Sequence, residues 1–136
     1  KVIASDISEK ALVIARKNAK NLNAKVDFVT SDLFESLGSS LLGNDLCIIA
    51  NLPYVPDGLI TSPEIKTEPK IALFAGNDGM DMYRKFWQEV RDLDQKKPKF
   101  IITESLMTQH DAMSQFGKES GFSLQKTLGL IQLFNS

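Results

Sequence analysis

Leu46-Cys47-Ile48-Ile49-Ala50-Asn51-Leu52-Pro53-Tyr54 says most about the architecture. Its first five residues are apolar at every position, the pattern of a strand buried on both faces in the middle of a parallel sheet. The run then breaks on Asn51, and Pro53 pushes Leu52 out of the α region into extended backbone. A strand that stops on a polar, proline-held turn suits an open α/β sheet, which binds ligands outside the carboxyl ends of its strands.

The flanking sequence supplies the rest of such a sheet. Val2-Ile3-Ala4 reads as a short strand closed by Asp6, and Ser8 is placed to cap a helix carrying Ala11, Leu12, Ala15, Ala19 and Leu22 at helical spacing. Val26 to Thr30 is a second strand, followed by the polar turn Ser31-Asp32 and a loop expected to close at Gly43-Asn44. Val55 to Gly79, punctuated by proline and glycine, is too long for a simple connector and reads as a functional loop. Met80, Tyr83, Trp87 and Val90 mark a second helix, Phe100 to Thr103 a strand, and Leu106 to Glu119 a third helix ended by Gly121. Phe122 to Leu124 and Gly129 to Phe134 read as an antiparallel hairpin. The fold class expected is a Rossmann-like α/β sheet with helices on both faces.

Composition narrows the function. The 136 residues carry 16 Lys+Arg against 17 Asp+Glu, a formal charge of −1, which gives no basic footprint for direct nucleic-acid binding. No apolar run approaches the ~20 residues that span a bilayer, so a membrane helix is not expected. One cysteine, Cys47, and one histidine, His110, cannot build a tetrahedral metal site, and a lone cysteine suits a reducing cytoplasmic setting. The chain opens at Lys1 inside a strand-like stretch and is expected to be a fragment of a longer protein.

Three places can carry chemistry. In Asn51-Leu52-Pro53-Tyr54, the Asn51 side-chain oxygen and the Leu52 carbonyl can accept both hydrogens of one –NH2 group, while Tyr54 offers a flat face. The same residues also suit a plain strand-to-loop turn. Asp6 ends a strand where a carboxylate can bind a ribose diol, a role compatible with capping the helix that follows. Asp32 can accept from an adenine amino group with Leu33 against the ring, or can simply close an Asx-turn.

Taken together, Ala4-Ser5-Asp6-Ile7-Ser8, Ser31-Asp32-Leu33-Phe34 and Ala50 to Pro56 resemble the release-factor glutamine N5-methyltransferases, the HemK/PrmC family. The match continues through Glu68-Pro69, Ala72-Leu73, Gly76-Asn77-Asp78-Gly79 and Tyr83, and ends with Glu104 and Gly121-Phe122. The resemblance implies a class I methyltransferase fold binding S-adenosyl-L-methionine, with residues 1–136 as one partial catalytic domain. It implies cofactor contacts from Asp6, Ile7, Asp32, Leu33 and Asn51. It implies that Asn51, Leu52, Pro53 and Tyr54 form the catalytic turn and, with Glu68, hold the glutamine of the Gly-Gly-Gln loop of a class 1 peptide-chain release factor, with no metal.

Two departures stand out. Leu52 occupies a position that is usually proline in the family, which frees one φ angle while keeping the carbonyl. The Gly-rich loop that would cradle the methionine part of the cofactor, expected after the family's first strand, would precede Lys1. The family's sheet then lacks a strand between those at Val2 and Leu46, so both are expected to present unpaired edges prone to self-association, and the isolated chain to be weakly active or inactive. Alternatives sharing the Asn-x-Pro-Tyr core are an adenine-N6 or ribosomal-protein methyltransferase, or a non-catalytic remnant.

Overall fold

The computed structural model describes residues 1–38, 46–59, 68–93 and 97–136. The Gly43-Asn44 loop end and the middle of the Val55–Gly79 segment lie outside the described residues. The chain divides into two compact units, Lys1–Leu42 and Gly43–Ser136.

The first unit runs β1 (Ile3–Asp6), α1 (Glu9–Asn21) and β2 (Asp27–Thr30). Ser8 takes an extended N-cap conformation and its hydroxyl accepts the Ala11 N–H at 3.3 Å. Glu9 in the first turn and Lys20 in the last complement the helix dipole. The chain leaves the helix through Asn23, whose φ of 52° asparagine tolerates better than most residues. β1 and β2 pair in parallel with Asp6 opposite Thr30, as expected for two strands joined by a helix. Leu12 is buried, whereas Val13 and Ile14 are exposed.

The second unit contains β3 (Cys47–Ala50), α2 (Asp81–Asp92), β4 (Phe100–Glu104), α3 (His110–Glu119), β5 (Ser123–Leu128) and β6 (Ile131–Asn135). Its sheet has the order β3-β4-β6-β5. β3 and β4 are parallel, and β6 runs antiparallel to both β4 and β5, giving the expected C-terminal hairpin. The third helical stretch opens with a 3₁₀ turn at Met107–Gln109 before α3 begins. Tyr83, Phe86, Trp87 and Val90 form one buried stripe of α2. Trp87 stands edge-on to Phe134 and Phe122, with ring centres 5.1 and 5.8 Å away. Gly117 on α3 gives the Phe134 ring its room, since a Cβ there would lie 2.9 Å from it.

The described strands form two sheets, β1-β2 and β3-β4-β6-β5, in keeping with a strand missing between those at Val2 and Leu46. β3, read as a central strand, has among the described residues a hydrogen-bonded neighbour only in β4, and Ile49 is 77% exposed. Burial on both faces is the environment this apolar run favours. The edge it presents matches the expectation of an unpaired strand. No helix among the described residues is long and apolar enough to cross a membrane.

Candidate functional site

β3 delivers the chain to Asn51 at its C-terminal end, and a tyrosine from α2 holds the junction. Tyr83 is fully buried, and its hydroxyl accepts the Leu52 N–H at 3.4 Å while lying 3.2 Å from the Ala50 carbonyl and 2.5 Å from that of Glu104. One hydroxyl thus ties the ends of two adjacent parallel strands. Burial above all pushes this phenol up to about 12, so it remains a neutral donor. The Leu52 N–H is consumed in this way, which leaves its carbonyl as the group the turn can offer.

Beyond Pro53 the backbone runs alongside residues 73–76. The Val55 N–H donates to the Leu73 carbonyl at 2.8 Å, and the Ala75 N–H to the Val55 carbonyl at 3.1 Å. Gln109 completes the clip: its Nε2 donates to the carbonyls of Tyr54 and Asp78, each at 2.9 Å, and its Oε1 accepts the Leu106 N–H at 2.9 Å. Gly79 has φ of 72°, and a Cβ there would collide with the Tyr54 carbonyl, so glycine is required on both counts. Arg84 bonds Asp78 and Asp81 at the same turn, and the guanidinium holds the Asp78 carboxyl below its usual range.

These restraints shape a cleft of about 400 Å³ whose wall includes Asn51, Leu52, Tyr54, Glu68 and Glu104. Four of the five predicted substrate residues therefore meet in one place. Pro53 does not line the cleft. Asn51 is exposed, and no hydrogen bond among the described residues engages its amide. The Tyr54 hydroxyl donates to Glu104 Oε1 at 2.8 Å. Burial, and then this bond to a carboxylate, push the Tyr54 phenol up to about 12.

The other predicted residues lie in the first unit, at the carboxyl ends of its paired strands. The Asp6 carbonyl accepts the Ser31 N–H at 3.1 Å, which puts Asp6-Ile7 next to Ser31-Asp32. Asp6 Oδ1 accepts the N–H of the cap residue Ser8 at 2.7 Å, which steadies the entry to α1 and leaves Oδ2 for another donor. Ser31 is buried and organises its turn: its hydroxyl donates to the Leu33 carbonyl at 3.0 Å and accepts the Ser36 N–H at 2.9 Å. Leu33 is held at φ of 46°, an uncommon conformation for leucine. Among the described residues no group of three or more His, Cys, Asp or Glu is placed to hold a metal ion.

No family model matches the chain. Curated relatives do. A release factor glutamine methyltransferase of Bacillus cereus is 40% identical over 104 residues, 71% of this chain and 35% of its own length. One of Borreliella burgdorferi is 38% identical over 137 residues, 94% of this chain and 44% of its own. The chain is HemK/PrmC-like. It spans less than half the length of either relative. Among solved structures, a ribosomal protein L11 methylase from Lactobacillus delbrueckii superposes with a TM-score of 0.59, covering 98% of this chain and 55% of that one. At 16% identity that likeness carries the fold alone, and the fold is the Rossmann-like methyltransferase fold.

In this HemK/PrmC-like chain two contributors escaped the sequence reading: Glu104 as the partner of Tyr54, and Gln109 as the clip on its backbone. Glu104 ends β4 as Asn51 follows β3. A polar residue at the carboxyl end of a neighbouring parallel strand was the available signal. Gln109 gives no such signal, because its partners are 55 and 31 residues away.

Proposed function

We propose that this chain forms catalytic machinery of an S-adenosyl-L-methionine-dependent methyltransferase acting on the side-chain amide of the glutamine in the Gly-Gly-Gln loop of a class 1 peptide-chain release factor. The observation carrying this reading is the turn after β3, where an unengaged Asn51 amide and the Leu52 carbonyl stand on an open cleft. The relatives are release factor glutamine methyltransferases by name, which supports the same reading.

The residues present fit the nucleoside half of the cofactor. The Asp6 carboxylate retains an oxygen for a ribose hydroxyl, Ile7 is exposed beside it, and the stapled turn at Ser31 presents Asp32 and Leu33. The 136 residues contain no Gly-x-Gly sequence for the methionine half. When bound, the cofactor supplies a methyl group activated by a sulfonium sulfur.

The chain's own part is to prepare the nitrogen. An amide nitrogen is a weak nucleophile because its lone pair is delocalised into the carbonyl. Asn51 Oδ1 and the Leu52 oxygen accept its two N–H bonds, orient the remaining lone pair and stabilise the positive charge that develops as the bond forms. Preorganised dipoles aimed at developing charge are commonly the largest catalytic term. Tyr54 packs against the amide plane, its hydroxyl anchored on Glu104. The methylated nitrogen then releases a proton to water, with no dedicated base needed.

The test is direct. The protein carrying this chain, at its full natural length, is incubated with S-adenosyl-L-methionine and a purified release factor, and peptides are mapped by mass spectrometry. A single added methyl on the Gly-Gly-Gln glutamine is expected. An unmodified glutamine, or a methyl elsewhere, would overturn the assignment.

A further inference from the structure

Among the described residues four side chains supply the polar wall of the cleft: Asn51, Tyr54, Glu68 and Glu104. None is a cation, and among the described residues neither Glu68 nor Glu104 has an ion-pair partner. Glu104 also decides what Tyr54 can offer. A phenol has one proton, and here it lies on Glu104 Oε1 at 2.8 Å, so the Tyr54 oxygen keeps only lone pairs for a ligand. The backbone at Glu104 is held by the Tyr83 hydroxyl on its carbonyl, and its side chain by the Tyr54 hydroxyl. Among the described residues the wall is therefore rich in acceptors and negative charge, with the Asn51 amide its sole side-chain donor.

We propose that Glu104 is a specificity-determining residue: by accepting the Tyr54 hydroxyl and facing the cleft as a carboxylate, it admits a side-chain amide and refuses a carboxylate of the same shape. This rests on the proposed function and adds how glutamine is told from glutamate. An entering amide finds acceptors for its N–H groups. An entering carboxylate meets like charge, and the one nearby phenolic proton is already committed. Like-charge juxtaposition across an interface is a strong means of rejecting a wrong partner.

The experiment uses the full-length protein and three short peptides centred on Gly-Gly-Gln, Gly-Gly-Glu and the glutamate methyl ester, with dissociation constants from calorimetry. The wild type is expected to bind the amide at least about tenfold more tightly than the acid, a difference of ~1.4 kcal/mol, with the uncharged ester between them. Glu104→Gln, which keeps the shape and an acceptor for Tyr54, is expected to shrink the amide-over-acid ratio about tenfold while leaving amide affinity within a few-fold. A purely structural role would weaken both peptides together. An unchanged ratio in Glu104→Gln, or equal wild-type affinity for acid and ester, overturns the assignment. Methyl transfer measured in parallel separates the two readings, because transfer to the glutamine with an unchanged ratio removes Glu104 alone.

Discussion

In the proposed mechanism Asn51 carries the chemistry of the turn, and it carries little of the fold. It is exposed and none of its side-chain polar atoms is hydrogen-bonded among the described residues, so truncation breaks no such bond. Asn51→Ala in the full-length protein is expected to lower kcat by roughly 10²–10³, the usual effect of deleting one preorganised group that stabilises developing charge. Its urea unfolding curve should overlay the wild type. Turnover within a few-fold of wild type would remove Asn51 from the mechanism. The two tyrosines offer a second, independent check, because Tyr54 and Tyr83 are the only ones in the chain. Both phenols are pushed up to about 12, so in the folded chain tyrosinate absorbance should stay flat through pH 10 and rise near pH 12. The linkage follows: a phenol whose folded pKa is raised binds more protons than the unfolded chain between about pH 10 and pH 12, so its stabilising contribution is complete below that window and lost on crossing it. Tyr83→Phe should soften the alkaline loss. A spectrophotometric step at pH 10 in the native chain would contradict the burial on which the site geometry depends.

At the level of elements, the site is a junction of chain ends secured from the side. Gln109 joins three backbone groups that belong to the turn after β3, the turn before α2 and the entry to α3. Gln109→Ala leaves those groups without their partner, and a buried unsatisfied group costs about 1–3 kcal/mol. Gly79→Ala forces a positive φ and a Cβ onto the Tyr54 carbonyl, a further local strain. Each is expected to lower the urea midpoint with little change in m value, and both together to fall short of additivity because they secure the same contact. Strict additivity would mean that the clip and the glycine act separately. This is also where legibility in the sequence ends. Ser8 as a cap, the stripe on α2 and the Asn51-Leu52-Pro53-Tyr54 turn rest on neighbours a few positions apart, and local patterns report them. The bonds from Tyr54 to Glu104 and from Gln109 to Tyr54 span 50 and 55 residues. Only the pairing of β3 with β4 and the path of the 3₁₀ turn bring those groups within reach, and no periodicity encodes that.

For the whole molecule the governing feature is unpaired sheet. The apolar run at β3 gave the correct element and direction, but periodicity reports the environment a strand favours rather than the neighbour that supplies it. Among the described residues β3 is bonded on one side only, with Ile49 77% exposed. β1 likewise has a single partner in its own sheet, and Val2 beside it is exposed. A row of open N–H and C=O groups flanked by apolar side chains is a template for pairing with another chain. The 136-residue chain is therefore expected to self-associate, with a weight-average mass in sedimentation equilibrium that climbs with concentration. Ile49→Lys tests this at little folding cost, because an exposed substitution away from special features changes stability by no more than about 0.5 kcal/mol. A lysine on the edge strand opposes docking of a second strand without disturbing the bonds to β4. The variant should sediment closer to the monomer mass at every concentration, with an unchanged thermal transition when dilute. If wild type and variant show the same mass profile, association runs through another surface, and the open edge of β3 is not what draws the chains together.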